Sequence, residues 1–253
     1  MIENGSKPFV SVHIEKTAGS SIGQLLVKKY GKEGILRYDA VSDTIIRLSD
    51  RIVPSDSSVH KLGEQLVGIW GMKPFLQLGQ LVVRNIDRTK QHKPEEIPTG
   101  FAVLTGHFRA ERFIGILPPE EFRYTSVLRE PLARMWSHYQ HWNRTCGIPR
   151  FRVRPTYNPD MRFEDFAMLP EMAGYQAKAL GENTEEFSNI GVVDHLMSYL
   201  EEMGWHNHRE VPPRINTGNY AAMPTLDPGF YRDFLEAHSA DFELYETTKS
   251  QWQ

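Results

Sequence analysis

A short stretch near the amino terminus combines residue types that bind anions. Residues 13–21 have the sequence HIEKTAGSS, which follows an apolar, β-branched run and precedes a helical pattern. A strand that ends in a small-residue turn and enters a helix directs backbone N–H groups and the positive end of the helix at one point. Lys16 adds a positive charge there, and Thr17, Ser20 and Ser21 add hydroxyl donors. The pattern predicts a phosphate or sulfate site, and an ordinary turn with a solvated lysine is the alternative.

The order of residues separates this stretch from a Walker A loop. In the pattern GxxxxGK[ST] the lysine follows the second glycine, and a magnesium-binding hydroxyl comes next. Here Lys16 precedes Gly19. The lysine can therefore reach back over the turn toward the terminal group of a bound nucleotide, and the motif requires no metal. This order disfavours an ATP-dependent P-loop kinase.

A second candidate anion site follows another predicted strand, 124–128. Arg129 comes at the end of that strand, and Pro131 stands where a helix begins, a position at which its missing N–H does no harm. Ser137 falls about two turns into the helix. Arg129 and Ser137 could converge on one anion, because a guanidinium suits bidentate phosphate contacts. A surface salt bridge is the alternative for Arg129.

A histidine follows a third predicted strand, 101–105. In open α/β sheets, ligands lie beyond the carboxyl ends of the strands, so His107 would face the same crevice as Lys16 and Arg129. Histidine can accept a proton near neutral pH, which makes His107 a candidate general base. A structural histidine bonded to the backbone is the alternative.

These segments, in this order, resemble the donor-binding motifs of the sulfotransferases that use 3'-phosphoadenosine 5'-phosphosulfate (PAPS). HIEKTAGSS is similar to their 5'-phosphosulfate loop, particularly in the branch that contains the carbohydrate (heparan sulfate and dermatan) 2-O-sulfotransferases, where it commonly reads HIPKTGGTS. LREP and the helix after it are similar to the 3'-phosphate-binding element. Glu15 stands where that branch often has proline, and Glu130 replaces the usual aspartate. Glu15 can pair with Lys16 or face solvent.

The resemblance implies a sulfuryl transfer with PAPS as donor and no metal. His107 would deprotonate an acceptor hydroxyl, with Glu15 as the next candidate base, and Lys16 would stabilise the departing phosphate. The 5'-phosphosulfate would be held by the loop residues Lys16, Thr17, Ala18, Gly19, Ser20 and Ser21. The family often folds a basic loop over the nucleotide at the position of Arg214, Asn216 and Thr217, for which a plain surface loop is the alternative. The acceptor would be a hydroxyl-bearing small molecule or a saccharide, and a silent nucleotide-binding protein of the same fold is the rival from another class.

The elements that position these residues alternate between strand and helix. Such alternation implies parallel strands joined by crossovers. We therefore expect one α/β domain over residues 1–253, with a three-layer, P-loop-like fold and a central parallel sheet. Residues 31–100 give no clear assignment. Helices are expected at 109–116, 131–144, 163–180, 194–203 and 228–250, and a last strand at 190–193.

Composition limits the function further. The 253 residues are 40% hydrophobic, with a net charge of -3, which argues against a general nucleic-acid binder. The single cysteine, Cys146, excludes an internal disulfide and a cysteine-rich zinc site. A mean hydropathy of -0.46 and a polar amino terminus predict a cytoplasmic chain without a membrane span. No HExxH pattern occurs, so we expect surface or acceptor-contacting roles for His138, His141, His206 and His208.

Overall fold

A six-stranded sheet forms the centre of the computed structural model, which describes residues 6–40, 42–50, 90–145, 160–206 and 221–253. Its strands, β1 to β6 in chain order, are Phe9–Val12, Ile35–Asp39, Thr44–Arg47, Val103–Gly106, Arg123–Leu128 and Phe187–Val192. They lie in the order β3-β2-β4-β1-β5-β6. Neighbouring strands are parallel except β2 and β3, which are antiparallel.

Helices pack on both faces of this sheet. Within the described residues they are, α1 to α8 in chain order, Gly19–Tyr30, Glu111–Ile114, Pro131–Thr145, Phe163–Ala167, Tyr175–Leu180, Leu196–Glu202, Pro228–Ala237 and Ser239–Ser250. Short 3-10 helices span Pro94–Glu96, Thr184–Glu186 and Val193–His195.

The alternation of side chains along the strands divides the core into two layers. Phe9 and Val103 belong to a cluster with residues of α1 and α6. Val10 and Leu104 belong to the other cluster, with residues of α2, α5 and α8. The helices α3, α4 and α7 contribute to a third apolar cluster. The expected α/β class, with a mostly parallel sheet between helical layers, is confirmed.

Two strands lie in the region that the sequence left unassigned. Asp39 of β2 pairs with Thr44 of β3, so a short connection joins the two as antiparallel neighbours. β2 then pairs in parallel with β4. The part of this region at 51–89 lies outside the described residues.

Two of the expected helices are each divided in two. The helix expected at 163–180 is interrupted after α4, where Pro170 lacks the N–H that a helix interior needs and Gly174 has a left-handed φ of 59°. The helix expected at 228–250 is divided at His238, between α7 and α8. The last strand begins at Phe187 rather than at Ile190.

Parallel pairing places the three candidate segments at one edge of the sheet. Val12, at the end of β1, is level with Gly106 of β4 and with Ser126 of β5. The loops that follow these strands carry Lys16, His107 and Arg129, so they leave the same edge side by side.

Candidate active site

The loop after β1 has two residues with unusual backbone geometry. Lys16 and Ala18 have φ values of 72° and 65°, in the left-handed region that residues other than glycine rarely adopt. Ala18 precedes α1, and its carbonyl oxygen accepts from the N–H groups of Ser21 and Ile22 at 2.9 and 3.1 Å. Strained backbone of this kind costs roughly 1 to 3 kcal/mol per residue and concentrates at functional sites. The loop is therefore a candidate site by its geometry as well as by its residue types.

The side chain of Thr17 forms a hydrogen bond within this loop. Its hydroxyl donates to the carbonyl oxygen of Ile14 at 2.9 Å, and the residue is 1% exposed. The hydroxyl proton is thus engaged within the loop. The contact of Thr17 with an anion stays a prediction.

Gly19 is required by the close approach of His13. A Cβ atom built on Gly19 would lie 1.6 Å from His13 Nε2, a distance that no packed atoms can adopt. The imidazole of His13 therefore lies directly against the first residue of α1. Its other neighbour is His107, with ring centroids 4.3 Å apart and planes inclined by 30°.

A hydrogen bond to the backbone orients His107. Nδ1 of His107 lies 2.9 Å from the carbonyl oxygen of His13. Because a carbonyl oxygen only accepts, Nδ1 carries the proton, and the lone pair of the neutral ring is on Nε2. The sequence left open a backbone-bonded histidine or a base. The structure contains the backbone bond. The same bond leaves the lone pair on Nε2, which is the atom that a general base would use.

His13 is held in the neutral form. Burial, followed by the neighbouring His107, lowers the pKa of His13 to about 3. Two stacked imidazoles disfavour a second positive charge, because each charge repels the other. His13 therefore carries no charge near neutral pH.

Arg129 joins the two candidate anion-binding segments. Its Nη1 donates to the carbonyl oxygen of Lys16 at 3.3 Å. Three residues before Arg129, within β5, the buried hydroxyl of Ser126 donates to the carbonyl oxygen of Val12 at 2.8 Å. This bond links β5 to β1. The guanidinium of Arg129 and the loop that carries Lys16 thus lie at one place, as the sequence predicts.

Glu130 caps the helix that follows Arg129. Its carboxylate accepts from the N–H groups of Leu132 and Ala133, at 3.1 and 2.6 Å, so it satisfies backbone donors that the first turn of α3 leaves unpaired. Ser137 lies further along α3 and is 8% exposed; its contact with an anion stays a prediction.

Glu15 is held by two side chains that the sequence did not connect with it. Its Oε2 accepts from the Tyr175 hydroxyl at 2.6 Å and lies 3.6 Å from His138 Nε2. The carboxylate is therefore bonded within the protein, although 30% of the side chain is exposed. The expectation that His138 is on the surface is wrong, since its side chain is 1% exposed and lies in the aromatic cluster of α3 and α4.

Gln176 is a component of the site that sequence reasoning missed. Its Oε1 accepts from the backbone N–H of Arg129 at 3.0 Å, and its Nε2 donates to the carbonyl oxygen of Arg129 at 2.9 Å. The side chain is fully buried. A glutamine in a predicted helix gives no signal of such a contact, because its partner lies 47 residues away in the chain.

A cavity of about 730 Å³ lies beside this edge, lined by residues of α1 and of the sheet. Its wall includes polar groups of His13, Ser20, Arg37 and Thr105. Apolar side chains of α1 line much of the remainder. Cavities of this size hold small-molecule ligands in other proteins.

Several sequence predictions fall on residues that the structure does not describe, namely Cys146, His208, Arg214, Asn216 and Thr217. Across the described ranges there is no cluster of three or more His, Cys, Asp or Glu side chains that could hold a metal ion. Among the helices of those same ranges, none has the length and apolar character needed to cross a membrane.

Comparisons with solved structures give several similarities, which include a sulfotransferase and a retinol dehydratase. No protein-family model matches the chain, and a comparison of its sequence with curated proteins finds no match. A sulfotransferase from Alicyclobacillus acidocaldarius is similar with a TM-score of 0.41 and 12% identity, over 95% of this chain and 96% of that one. A retinol dehydratase, in complex with androsterone and the inactive cofactor PAP, is similar with a TM-score of 0.31 and 15% identity. That match covers 92% of this chain and 63% of the dehydratase. TM-scores below 0.5 do not establish a shared fold. The α/β class of this chain follows from its own strand order.

Proposed function

We propose that this chain is a sulfotransferase that moves the sulfuryl group of PAPS to the hydroxyl of an acceptor. The observation that carries the proposal is the contact of the Arg129 guanidinium with the Lys16 carbonyl oxygen at 3.3 Å. It brings together the two candidate anion-binding turns, and PAPS carries two separate phosphate groups on one nucleoside. When bound, PAPS supplies the activated sulfuryl group.

The loop after β1 would hold the 5'-phosphosulfate. The first turn of α1 directs its N–H groups and the positive end of the helix toward the edge of the sheet. The backbone N–H groups of Ala18, Gly19 and Ser20 would bind the phosphosulfate oxygens, and Ser21, whose N–H donates to Ala18 O, would contribute its hydroxyl. The ammonium group of Lys16 would stabilise the negative charge that develops on the bridging phosphate oxygen.

The start of α3 would hold the 3'-phosphate. Arg129 offers a planar guanidinium that suits two parallel bonds to a phosphate, and Ser137 would add a hydroxyl donor. A site for a 3'-phosphate favours PAPS over a nucleoside triphosphate, which lacks that group. The loop with Arg214, Asn216 and Thr217 would complete the enclosure of the nucleotide.

His107 would act as the general base. Its Nδ1 is bonded to the backbone, so Nε2 is the atom that would take the proton from the acceptor hydroxyl. As the acceptor oxygen forms its bond to sulfur, the bond from sulfur to the phosphate oxygen breaks, and the proton on His107 passes afterwards to solvent. Glu15 is less suited to this role, because its carboxylate is bonded to Tyr175.

The acceptor would enter from the side of the cavity at α1. His107 is not among the residues that line this cavity, but His13, which stacks on His107, is. The volume of the cavity is that of a small-molecule site, and the resemblance of the donor loop to the carbohydrate branch keeps a saccharide as the second acceptor class.

Two rivals make different predictions about ligands. A P-loop kinase would bind ATP with magnesium, and a silent nucleotide-binding protein would bind PAP (3'-phosphoadenosine 5'-phosphate) without turnover. The test is the thermal unfolding of the wild-type chain with saturating PAP, and with ATP in the presence and absence of magnesium. We expect an increase in Tm with PAP and a smaller one with ATP, independent of magnesium. No increase with PAP would refute the donor assignment.

Turnover is tested with PAPS that carries radiolabelled sulfate and a panel of phenols, alcohols, steroids and saccharides. We expect labelled product with at least one acceptor class and its loss in Lys16→Ala. Binding of PAP without labelled product from any acceptor would favour the silent protein.

A further inference from the structure

The backbone of Arg129 is held by one side chain that uses both of its polar atoms. β5 ends at Leu128, one residue before Arg129. The amide of Gln176 then accepts from the Arg129 N–H at 3.0 Å and donates to the Arg129 carbonyl oxygen at 2.9 Å. The backbone of a neighbouring strand also offers one carbonyl oxygen and one N–H group to its partner residue. The Gln176 amide therefore extends the hydrogen-bonded pairing of β5 by one residue.

We propose that Gln176 is a positioning residue that sets the selectivity of the donor site for a 3'-phosphate. It rests on the proposed function, in which the guanidinium of Arg129 binds that phosphate. The two hydrogen bonds of the Gln176 amide go to the backbone of Arg129, not to its guanidinium. By fixing the position of that backbone, Gln176 fixes the point from which the side chain reaches the ligand.

Gln176 is itself held firmly, as a positioning residue must be. It lies in the first turn of α5, where the N–H of Ala177 donates to Asp241 Oδ1 at 2.9 Å. Asp241 is fully buried. On the other side of Gln176, the hydroxyl of Tyr175 donates to Glu15 in the 5' loop. Consecutive residues of α5 therefore contact the two turns of the proposed donor site.

The energetics favour a specific effect on Arg129. The two hydrogen bonds between Gln176 and Arg129 are partly buried, and an N–H or carbonyl group that loses its partner in such a place is destabilising. Without the amide of Gln176, the Arg129 backbone is expected to move until water or another group satisfies it. A shift of the order of 1 Å at a positioned group is enough to weaken its contacts substantially.

The experiment compares PAP with adenosine 5'-monophosphate, which lacks only the 3'-phosphate. Calorimetric titration gives the Kd of each nucleotide for the wild type, for Gln176→Met and for Tyr175→Phe. We expect Gln176→Met to weaken PAP binding about tenfold, the effect of losing roughly one to two hydrogen bonds, and to change binding of the monophosphate little. The Kd of the monophosphate divided by the Kd of PAP then falls about tenfold.

Tyr175→Phe is the matched control on the same helix. It removes one hydrogen bond from the adjacent residue, but that bond goes to the 5' loop, which both nucleotides use. We expect the ratio of the two Kd values to stay at the wild-type value. Circular dichroism checks the fold of each variant. If Gln176→Met does not fold, Gln176→Asn replaces it, since its shorter amide cannot span both backbone groups of Arg129, and the ratio should fall in the same direction.

The outcomes separate the two levels of the proposal. Equal weakening of both nucleotides by the Gln176 variants, or an unchanged ratio, would refute the positioning role while leaving the donor site in place. A wild type that binds the two nucleotides equally well would refute the 3'-phosphate site itself, and the role of Gln176 with it.

Discussion

Nδ1 of His107 donates a hydrogen bond to the carbonyl oxygen of His13 at 2.9 Å, although the two residues are 94 positions apart in the chain. The bond joins the ends of β4 and β1, which are parallel neighbours. It fixes the ring of His107 in one tautomer and over the imidazole of His13. The candidate base is thus oriented by the same backbone segment that leads into the proposed phosphosulfate loop.

Removal of the candidate base should abolish turnover without loss of the donor site. We expect His107→Ala to lower kcat by about 100-fold to 10,000-fold, the usual contribution of a general base, with PAP binding retained. His92→Ala, which removes an imidazole beside β3, is the control and should leave kcat unchanged. Full activity in His107→Ala would exclude it as the base and make Glu15 the residue to substitute next.

Lys16 and Arg129 should affect different kinetic constants. Because Lys16 would stabilise charge that develops in the transition state, Lys16→Ala should lower kcat by roughly 100-fold to 1000-fold. Arg129→Ala should chiefly raise the KM for PAPS, since its contact would be present in the ground state as well. Steady-state kinetics on both variants, with Lys32→Ala as an exposed control, separates these effects. Identical changes in both variants would contradict the two roles.

Two glycines of α1 should respond in opposite ways to the same substitution. Gly19→Ala would place a Cβ atom 1.6 Å from His13 Nε2, whereas nothing lies within 4 Å of a Cβ on Gly23. We expect Gly23→Ala to raise the free energy of unfolding by about 0.5 to 1 kcal/mol, because alanine is the better helix former. Gly19→Ala should lower it by roughly 1 to 3 kcal/mol and weaken PAP binding. Denaturant unfolding measures both, and a stabilised Gly19→Ala would contradict the packing of His13.

The neutral state of His13 should make stability depend on pH. Its pKa is about 3 in the folded chain and about 6.5 in the unfolded chain. Between these values the unfolded chain binds more protons, so the free energy of unfolding rises with pH. The stabilisation is therefore complete above about pH 6.5 and is lost as the pH falls toward about 3. The slope contributed by this residue is at most about 1.4 kcal/mol per pH unit.

Urea unfolding at about pH 7 and about pH 5 tests this dependence in the wild type and in His13→Gln. The variant should lose less stability between the two pH values, because glutamine does not titrate. His238, whose pKa is also lowered by burial, is present in both proteins, so its contribution cancels in the difference. Equal losses in both proteins would contradict a His13 that stays neutral in the folded chain.

The parts of the site that follow a strand directly were predictable from sequence. The turns at Lys16, His107 and Arg129 follow runs of β-branched and aromatic residues, and parallel pairing brings such turns to one edge. The structure bears out this placement. The side chains that hold the turns were not predictable, since Gln176 and Tyr175 act across the fold and carry no local pattern.

The errors in the helices have local causes that propensity alone does not weigh. Pro170 and Gly174 divide a stretch whose apolar spacing resembles one continuous helix, and their backbone constraints prevail over that spacing. The strands β2 and β3 were missed because their sequences, ILRYD and TIIR, include charged residues, whereas the equally short β1 and β4, FVSV and VLTG, contain none. β2 and β3 become strands by pairing with each other and with β4.

A crystal structure of the chain with bound PAP tests the central claim most directly. The account predicts the 5'-phosphate within hydrogen-bond distance of the backbone between Lys16 and Ser21. It predicts the 3'-phosphate on the guanidinium of Arg129, with His107 Nε2 facing the space next to the 5'-phosphate. A nucleotide bound elsewhere, or one whose 3'-phosphate points away from Arg129, would contradict a single donor site formed by the two turns.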